Sequence, residues 1–173
     1  MRLPRFVRRT LDRLAALCGR TDAPATPPSG RPKDGTETGS GGGAAKPAME
    51  HALYAGGEKT LEKDVEQVQL ALGFNGVSTL HPDFYAAQVF ATILGGGMSS
   101  RLFQEIRERR GLAYSVSAWA TGYQDIGLIG MYAGTTVEHL PELTAGLKEV
   151  LASCRTDVSG AELLRAKNQL KAN

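Results

Sequence analysis

The three histidines of this 173-residue chain, His51, His81 and His139, set the limits on the metal or base chemistry it can hold. A hydrolytic zinc takes three protein ligands and a water, with a carboxylate placed to receive that water's proton. None of the three stands at ligand spacing. His51 follows Glu50 but Leu53 and Tyr54 continue without a second ligand, His81 precedes Pro82, and His139 falls at a helix start. They read as surface or cap residues, so the chain by itself is expected to bind no catalytic zinc and to cut nothing. Ser99 and Ser100 have no histidine beside them in sequence and are expected to cap a helix rather than to attack a substrate. Gly95, Gly96 and Gly97 lack the Gly-Lys-Ser/Thr ending of a phosphate loop. Arg107 and Tyr114 stand seven apart across Gly111. From spacing alone they are a solvated helix residue and a half-buried strand residue.

The elements that position them are legible in the stretch from Leu94 to Ser115. Three glycines in a row cost about 1 kcal/mol each in a helix interior, so Gly95 to Gly97 end what precedes them and free the backbone to turn. A short helix follows, with Leu102, Phe103 and Ile106 as its apolar stripe and Gln104, Glu105, Glu108 and Arg109 outward. Arg109 and Arg110 are expected to complement the negative end of its dipole. Gly111 is the left-handed stop, and a strand carrying Tyr114 begins.

The run LGGGMSSRLFQEIRERRGLAYSVSA, followed by YQDIGLIGMYAGTT, resembles the zinc metallopeptidases that include pitrilysin, insulin-degrading enzyme and the mitochondrial processing peptidase. More narrowly it resembles their C-terminal-type repeat, over about Tyr54 to Asn173. The resemblance implies that the zinc motif, an inverted His-x-x-Glu-His, belongs to a preceding repeat that this chain lacks. It implies that Arg107 and Tyr114 match the arginine and tyrosine extended toward bound peptide opposite the zinc. A phenol hydroxyl can donate to the oxyanion forming on a scissile carbonyl, and a guanidinium can hold backbone carbonyls with forked donors. It also places Gly95, Gly96 and Gly97 in a loop that touches substrate, against the plainer role of helix termination. The partners implied are a peptide substrate and a homologous zinc-bearing subunit or repeat, the short members working as pairs around a chamber. Zinc is then a cofactor of that other half.

The rest of the chain supplies the framework. Glu66 to Phe74 is expected to be a strand, with Val68, Leu70, Leu72 and Phe74 on its buried face. His81-Pro82-Asp83 signals a helix start, and Phe84, Ala87, Phe90, Ala91 and Leu94 form that helix's stripe. Ala113 to Thr121 and Ile126 to Ala133 form a hairpin around Gly122 to Asp125. Two capping boxes, Thr135-x-x-Glu138 and Ser159-x-x-Glu162, are expected to open two more helices. The first buries Leu140, Leu143, Leu147, Val150 and Leu151, with Pro141 in its opening turn; the second buries Leu163, Ala166 and Leu170. Trp119 and Tyr123 on the hairpin are expected to pack rather than to form a ligand cage.

Composition divides the chain. Residues 1–50 hold nine Lys or Arg against five Asp or Glu, and the remainder eleven against thirteen, so the globular part is not a nucleic-acid binder on charge. No apolar run reaches the length of a membrane span. Cys18 and Cys154 lie in segments of different character and read as reduced thiols, which favours a cytosolic compartment. The Arg-rich amphipathic start would place the protein in the mitochondrial matrix were it a transit peptide. The Gly, Pro, Ser and Thr that follow cannot bury enough surface to fold.

Together these predict a disordered arm over 1–48 and an α+β domain over 49–173. The domain is an antiparallel-rich sheet covered on one face by helices, incomplete at its C-terminal end by comparison with the family. The expected function is that of the substrate-facing, metal-free part of a zinc metalloendopeptidase. The alternatives are a non-catalytic partner of the same fold and a truncated gene product without independent activity.

Overall fold

The computed structural model describes residues 52–172. The predicted arm over 1–48, with its Arg-rich start and Cys18, lies outside the described residues, as does His51. The described elements run β1 (Val68–Asn75), α1 (Phe84–Gly95), α2 (Phe103–Arg109), β2 (Ser115–Gly122), β3 (Gly127–Thr135), α3 (Leu140–Ser153) and α4 (Gly160–Ala172). The strands form one antiparallel sheet in the order β1-β3-β2, with Val68 opposite Thr135 and Ser115 opposite Gly134. The α+β fold predicted from sequence is the one found.

Period-two alternation decides what each face of the sheet carries. On β3, Ile129, Met131, Ala133 and Thr135 are buried with Ala118 of β2 beneath the helices, and Leu94, Leu102, Ile106 and Leu143 complete the core. Leu70, Leu72 and Phe74 of β1 pack against that core only partly buried. Among the described residues the other face carries no helix: its residues on β3 are Leu128, Gly130, Tyr132 and Gly134, flanked by Ser117 and Trp119 of β2 and by Ala71 and Gly73 of β1.

Helix ends follow local chemistry in some places and tertiary demand in others. At α4 the predicted capping box is present, with the Glu162 N–H donating to Ser159 Oγ at 3.2 Å and the Ser159 N–H to Glu162 Oε2 at 2.9 Å. Ser159→Ala is expected to cost about 1 kcal/mol, read from the urea midpoint at unchanged slope. The box predicted at Thr135 does not form. Gly134 and Thr135 continue the ladder opposite Gln69 and Val68, so β3 runs two residues past Ala133. The buried Thr135 hydroxyl instead donates to the Leu112 carbonyl at 2.6 Å, and α3 starts at Leu140 with no side-chain cap. Pro141 lies in the opening turn as expected, where its missing N–H is not needed.

The helix carrying Arg107 departs most from expectation. It is wound as a π-helix over Phe103–Arg109 rather than as an α-helix. Ser100 does not cap it: its hydroxyl donates back to the Gly97 carbonyl at 2.5 Å, and no side chain caps the helix. The wider turn sets residues five apart in register, so Arg110 meets Glu105 at 3.0 Å while Leu102 and Ile106 both stay wholly buried. Arg109 and Arg110 stand at the C-terminal end of the helix as expected and also engage Glu105, and Arg110 reaches Glu149 of α3 at 2.6 Å.

Candidate functional site

Gly111 takes φ +62°, with nothing near a would-be side chain, so its role is the left-handed turn itself. That turn delivers Leu112 and Ala113 into the core and releases Tyr114 at the mouth of β2. The Tyr114 N–H donates at 2.9 Å to the Gly134 carbonyl, although Gly134 is the ladder partner of Ser115. Tyr114 thus hydrogen-bonds to β3 one residue ahead of the first ladder pair, outside the alternation of β2. Tyr114 and Ser115 are both exposed beside buried Ala113, Tyr114 at 59%.

Arg107 lies on the outer side of α2. Its guanidinium sits 4.8 Å above the centroid of the Phe103 ring, a cation–π contact made within one turn. Its closest carboxylate oxygen, on Glu108, is 4.0 Å away, too far for a hydrogen bond. The side chain is 46% exposed, so its forked donors are held in place by stacking while remaining free to bind. Arg107 and Tyr114 make no hydrogen bond to each other; the structure supplies two separate donors flanking the Gly111 turn.

The three glycines divide by environment. Gly95 is the last residue of α1 and buried: a Cβ there would lie 2.7 Å from that of Ala118, so the glycine lets α1 lie flush on β2. The Gly96 carbonyl accepts from Gln169 of α4 at 2.6 Å. Of the three, Gly97 alone is exposed, next to exposed Met98 and Ser99.

Behind this surface, Arg101 joins α2 to the last two helices. It meets Glu162 through two hydrogen bonds, Nε to Oε1 at 2.6 Å and Nη2 to Oε2 at 2.9 Å. It also donates to Ser153 Oγ at 3.0 Å and to the Asp157 carbonyl. The guanidinium pulls the Glu162 carboxyl down to about 2, and burial pushes the Cys154 thiol up to about 11. Nothing in the sequence pattern marked Arg101, because Glu162 lies 61 residues away.

His81 and His139 are both exposed, and among the described residues no three His, Cys, Asp or Glu side chains cluster as metal ligands. No helix among the described residues is long and apolar enough to cross a membrane.

Residues 29–170 match a family model described as the peptidase M16 inactive domain, the match starting inside the stretch expected to be linker. An uncharacterized zinc protease of Rickettsia felis is 43% identical over 123 residues, covering 70% of this chain and 30% of the relative. Another, from Bacillus subtilis, is 41% identical over 115 residues, covering 66% and 28%. A crystal structure of a peptidase M16 inactive domain from Pseudomonas fluorescens aligns with a TM-score of 0.58 at 31% identity, over 61% of this chain and 26% of that one. An inactive peptidase domain from Bordetella parapertussis aligns with a TM-score of 0.51 at 28% identity, over 65% and 62%. The chain therefore spans about 30% of the length of the curated relatives it matches.

Proposed function

Because the chain belongs to the peptidase M16 inactive-domain family, we propose that it supplies the metal-free, peptide-facing half of a zinc metalloendopeptidase. The zinc and its His-x-x-Glu-His motif reside in a homologous repeat or subunit that closes over the same peptide. The observation that carries this reading is Tyr114, left 59% exposed after the Gly111 turn at the start of β2 and tied through its N–H to the Gly134 carbonyl.

The roles follow from the donors. The Tyr114 hydroxyl, which has no partner among the described residues, donates to the oxygen of the scissile carbonyl as negative charge gathers there. Arg107, steadied on Phe103, holds a backbone carbonyl of the extended substrate and so acts on binding more than on the chemical step. Gly97, with Met98 and Ser99, forms the exposed part of the glycine turn and stands ready to meet the chain. The buried, unpaired Cys154 and the bacterial relatives support a cytoplasmic setting.

The test is reconstitution with a zinc-bearing M16 half. Peptide cleavage is expected only when both halves are present, and a chelator should abolish it. Arg107→Ala in the reconstituted enzyme should raise KM about tenfold or more and leave kcat within about threefold, the loss of one charge-assisted hydrogen bond. If the two halves associate and cleavage never appears, the second reading holds, a binding subunit without a catalytic share. That Arg107 and Tyr114 make no hydrogen bond to each other favours that reading.

A further inference from the structure

We propose that Trp119 and the bare backbone beside it form a subsite for one aromatic or long apolar side chain of an extended peptide. The proposal rests on the peptide-facing role assigned to this face.

The hairpin sets Trp119 opposite Gly130, and Gly130 opposite Gly73, so one row across the sheet reads indole, glycine, glycine. The indole lies flat on the central strand. A Cβ at Gly130 would come within 2.9 Å of Cη2 and closer still to Cζ2 and Cε2, so only glycine lets the ring settle there. One side of the ring rests on backbone, and the residue remains 42% exposed. Beyond it Gly73 is exposed, with the Leu128 Cδ1 3.5 Å from its would-be Cβ. The next residue along the face of β3 is Tyr132, its hydroxyl bound to Gln69. The result is an aromatic plate ending on two glycines, between Leu128 on one side and Tyr132 on the other, with the Tyr54 hydroxyl donating to the Gly73 carbonyl at 2.6 Å at the outer end.

Charge selects the occupant. Every residue on this face of the three strands is uncharged, so the plate offers nothing to neutralise a buried lysine, arginine or carboxylate. An exposed π-face gains most from an aromatic ring or a long apolar chain laid across it. The subsite is also continuous with the donors. From Ser115 to Trp119 is four residues along β2, or about 13 Å, which an extended peptide covers in about four residues. The subsite therefore reads a side chain about four residues from the bond beside Tyr114.

Trp119 is the single tryptophan of the sequence, so intrinsic emission reports this site alone. The experiment titrates the full chain with a series of dye-labelled, otherwise identical Ala/Ser peptides carrying Phe, Leu, Ser or Arg at one position. Phe and Leu peptides are expected to shift the emission to the blue and to bind about tenfold tighter than the Ser peptide. Trp119→Ala, followed by dye anisotropy, should bring the Phe and Ser peptides within about twofold of each other without weakening the Ser peptide. Gly130→Val, which evicts the indole while retaining it in the chain, should do the same, with circular dichroism reporting the fold of both variants. Equal binding of Phe and Ser peptides, a preference for Arg, or a Phe preference that survives Trp119→Ala would overturn the proposal. The readout is binding by this chain, with no cleavage involved. A silent Tyr114→Phe in the reconstituted enzyme would therefore sink the catalytic assignment and leave this test standing, and the converse also holds.

Discussion

Replacing Tyr114 by Phe in the reconstituted protease is expected to lower kcat about 100- to 1,000-fold while changing KM less than about threefold. The substitution removes one oxygen. Tyr114 is exposed and its hydroxyl has no partner among the described residues, so Phe disturbs no packing and leaves no orphaned group. What it removes is a donor aimed at charge that exists only in the transition state, and a donor of that kind is worth about 3 kcal/mol when a working site loses it. A hydroxyl serving ground-state binding would instead raise KM at constant kcat. Tyr114→Ala is the informative companion: were the ring itself the useful part, Phe would retain activity and Ala would lose it. A Phe variant within about threefold of wild type in kcat removes the tyrosine from the chemistry. Urea midpoints should agree within about 0.5 kcal/mol for the two proteins, because an exposed side chain away from the core carries little stability.

Local rules in the sequence place the elements around the candidate site but not their geometry. The triple glycine, the apolar stripe of Leu102 and Ile106 and the stop at Gly111 follow from local rules, and each is where those rules put it. The Tyr114 bond to Gly134 leaves no mark in the pattern, since the two residues are separated by the whole hairpin. Alternation read straight through Ala113 to Thr121 half-buries the phenol, which the structure leaves 59% exposed. The π winding of α2 is equally silent, because its spacing of Leu102 and Ile106 also suits an α-helix. Trp119 was recoverable. The Tyr123 N–H donates to the Ile126 carbonyl at 2.7 Å, so the loop proper is Gln124 and Asp125, and counting outward from that pair sets Trp119 on Gly130. A turn placed over Gly122 to Asp125 without that closure gives no register. Packing is the role expected of Trp119, and its packing on Gly130 still leaves the residue 42% exposed.

Stability should fail first where α2, α3 and α4 meet, and Arg101→Met is expected to cost about 3 kcal/mol. The two side chains retain only 15% and 20% of their exposure, so methionine leaves Glu162 charged, largely enclosed and without its two forked bonds. Removing one partner of a buried pair typically costs 3–5 kcal/mol, and the residual solvent access here places the loss at the lower end. The double replacement Arg101→Met with Glu162→Gln should recover much of that cost, because the stranded charge rather than the missing attraction does most of the damage. Acid separates this from a packing effect. The folded Glu162 carboxyl sits at about 2 instead of its ordinary 4.5, so the native state binds the proton less readily than the unfolded chain. The contribution is complete above about pH 4.5 and declines as pH falls toward 2. Wild type should thus lose stability across that window more steeply than Arg101→Met, whose Glu162 lacks the guanidinium that holds it down. Parallel curves for the two proteins would show that Arg101 acts through its methylenes alone. A steeper wild-type curve would assign the junction of the last two helices to one guanidinium.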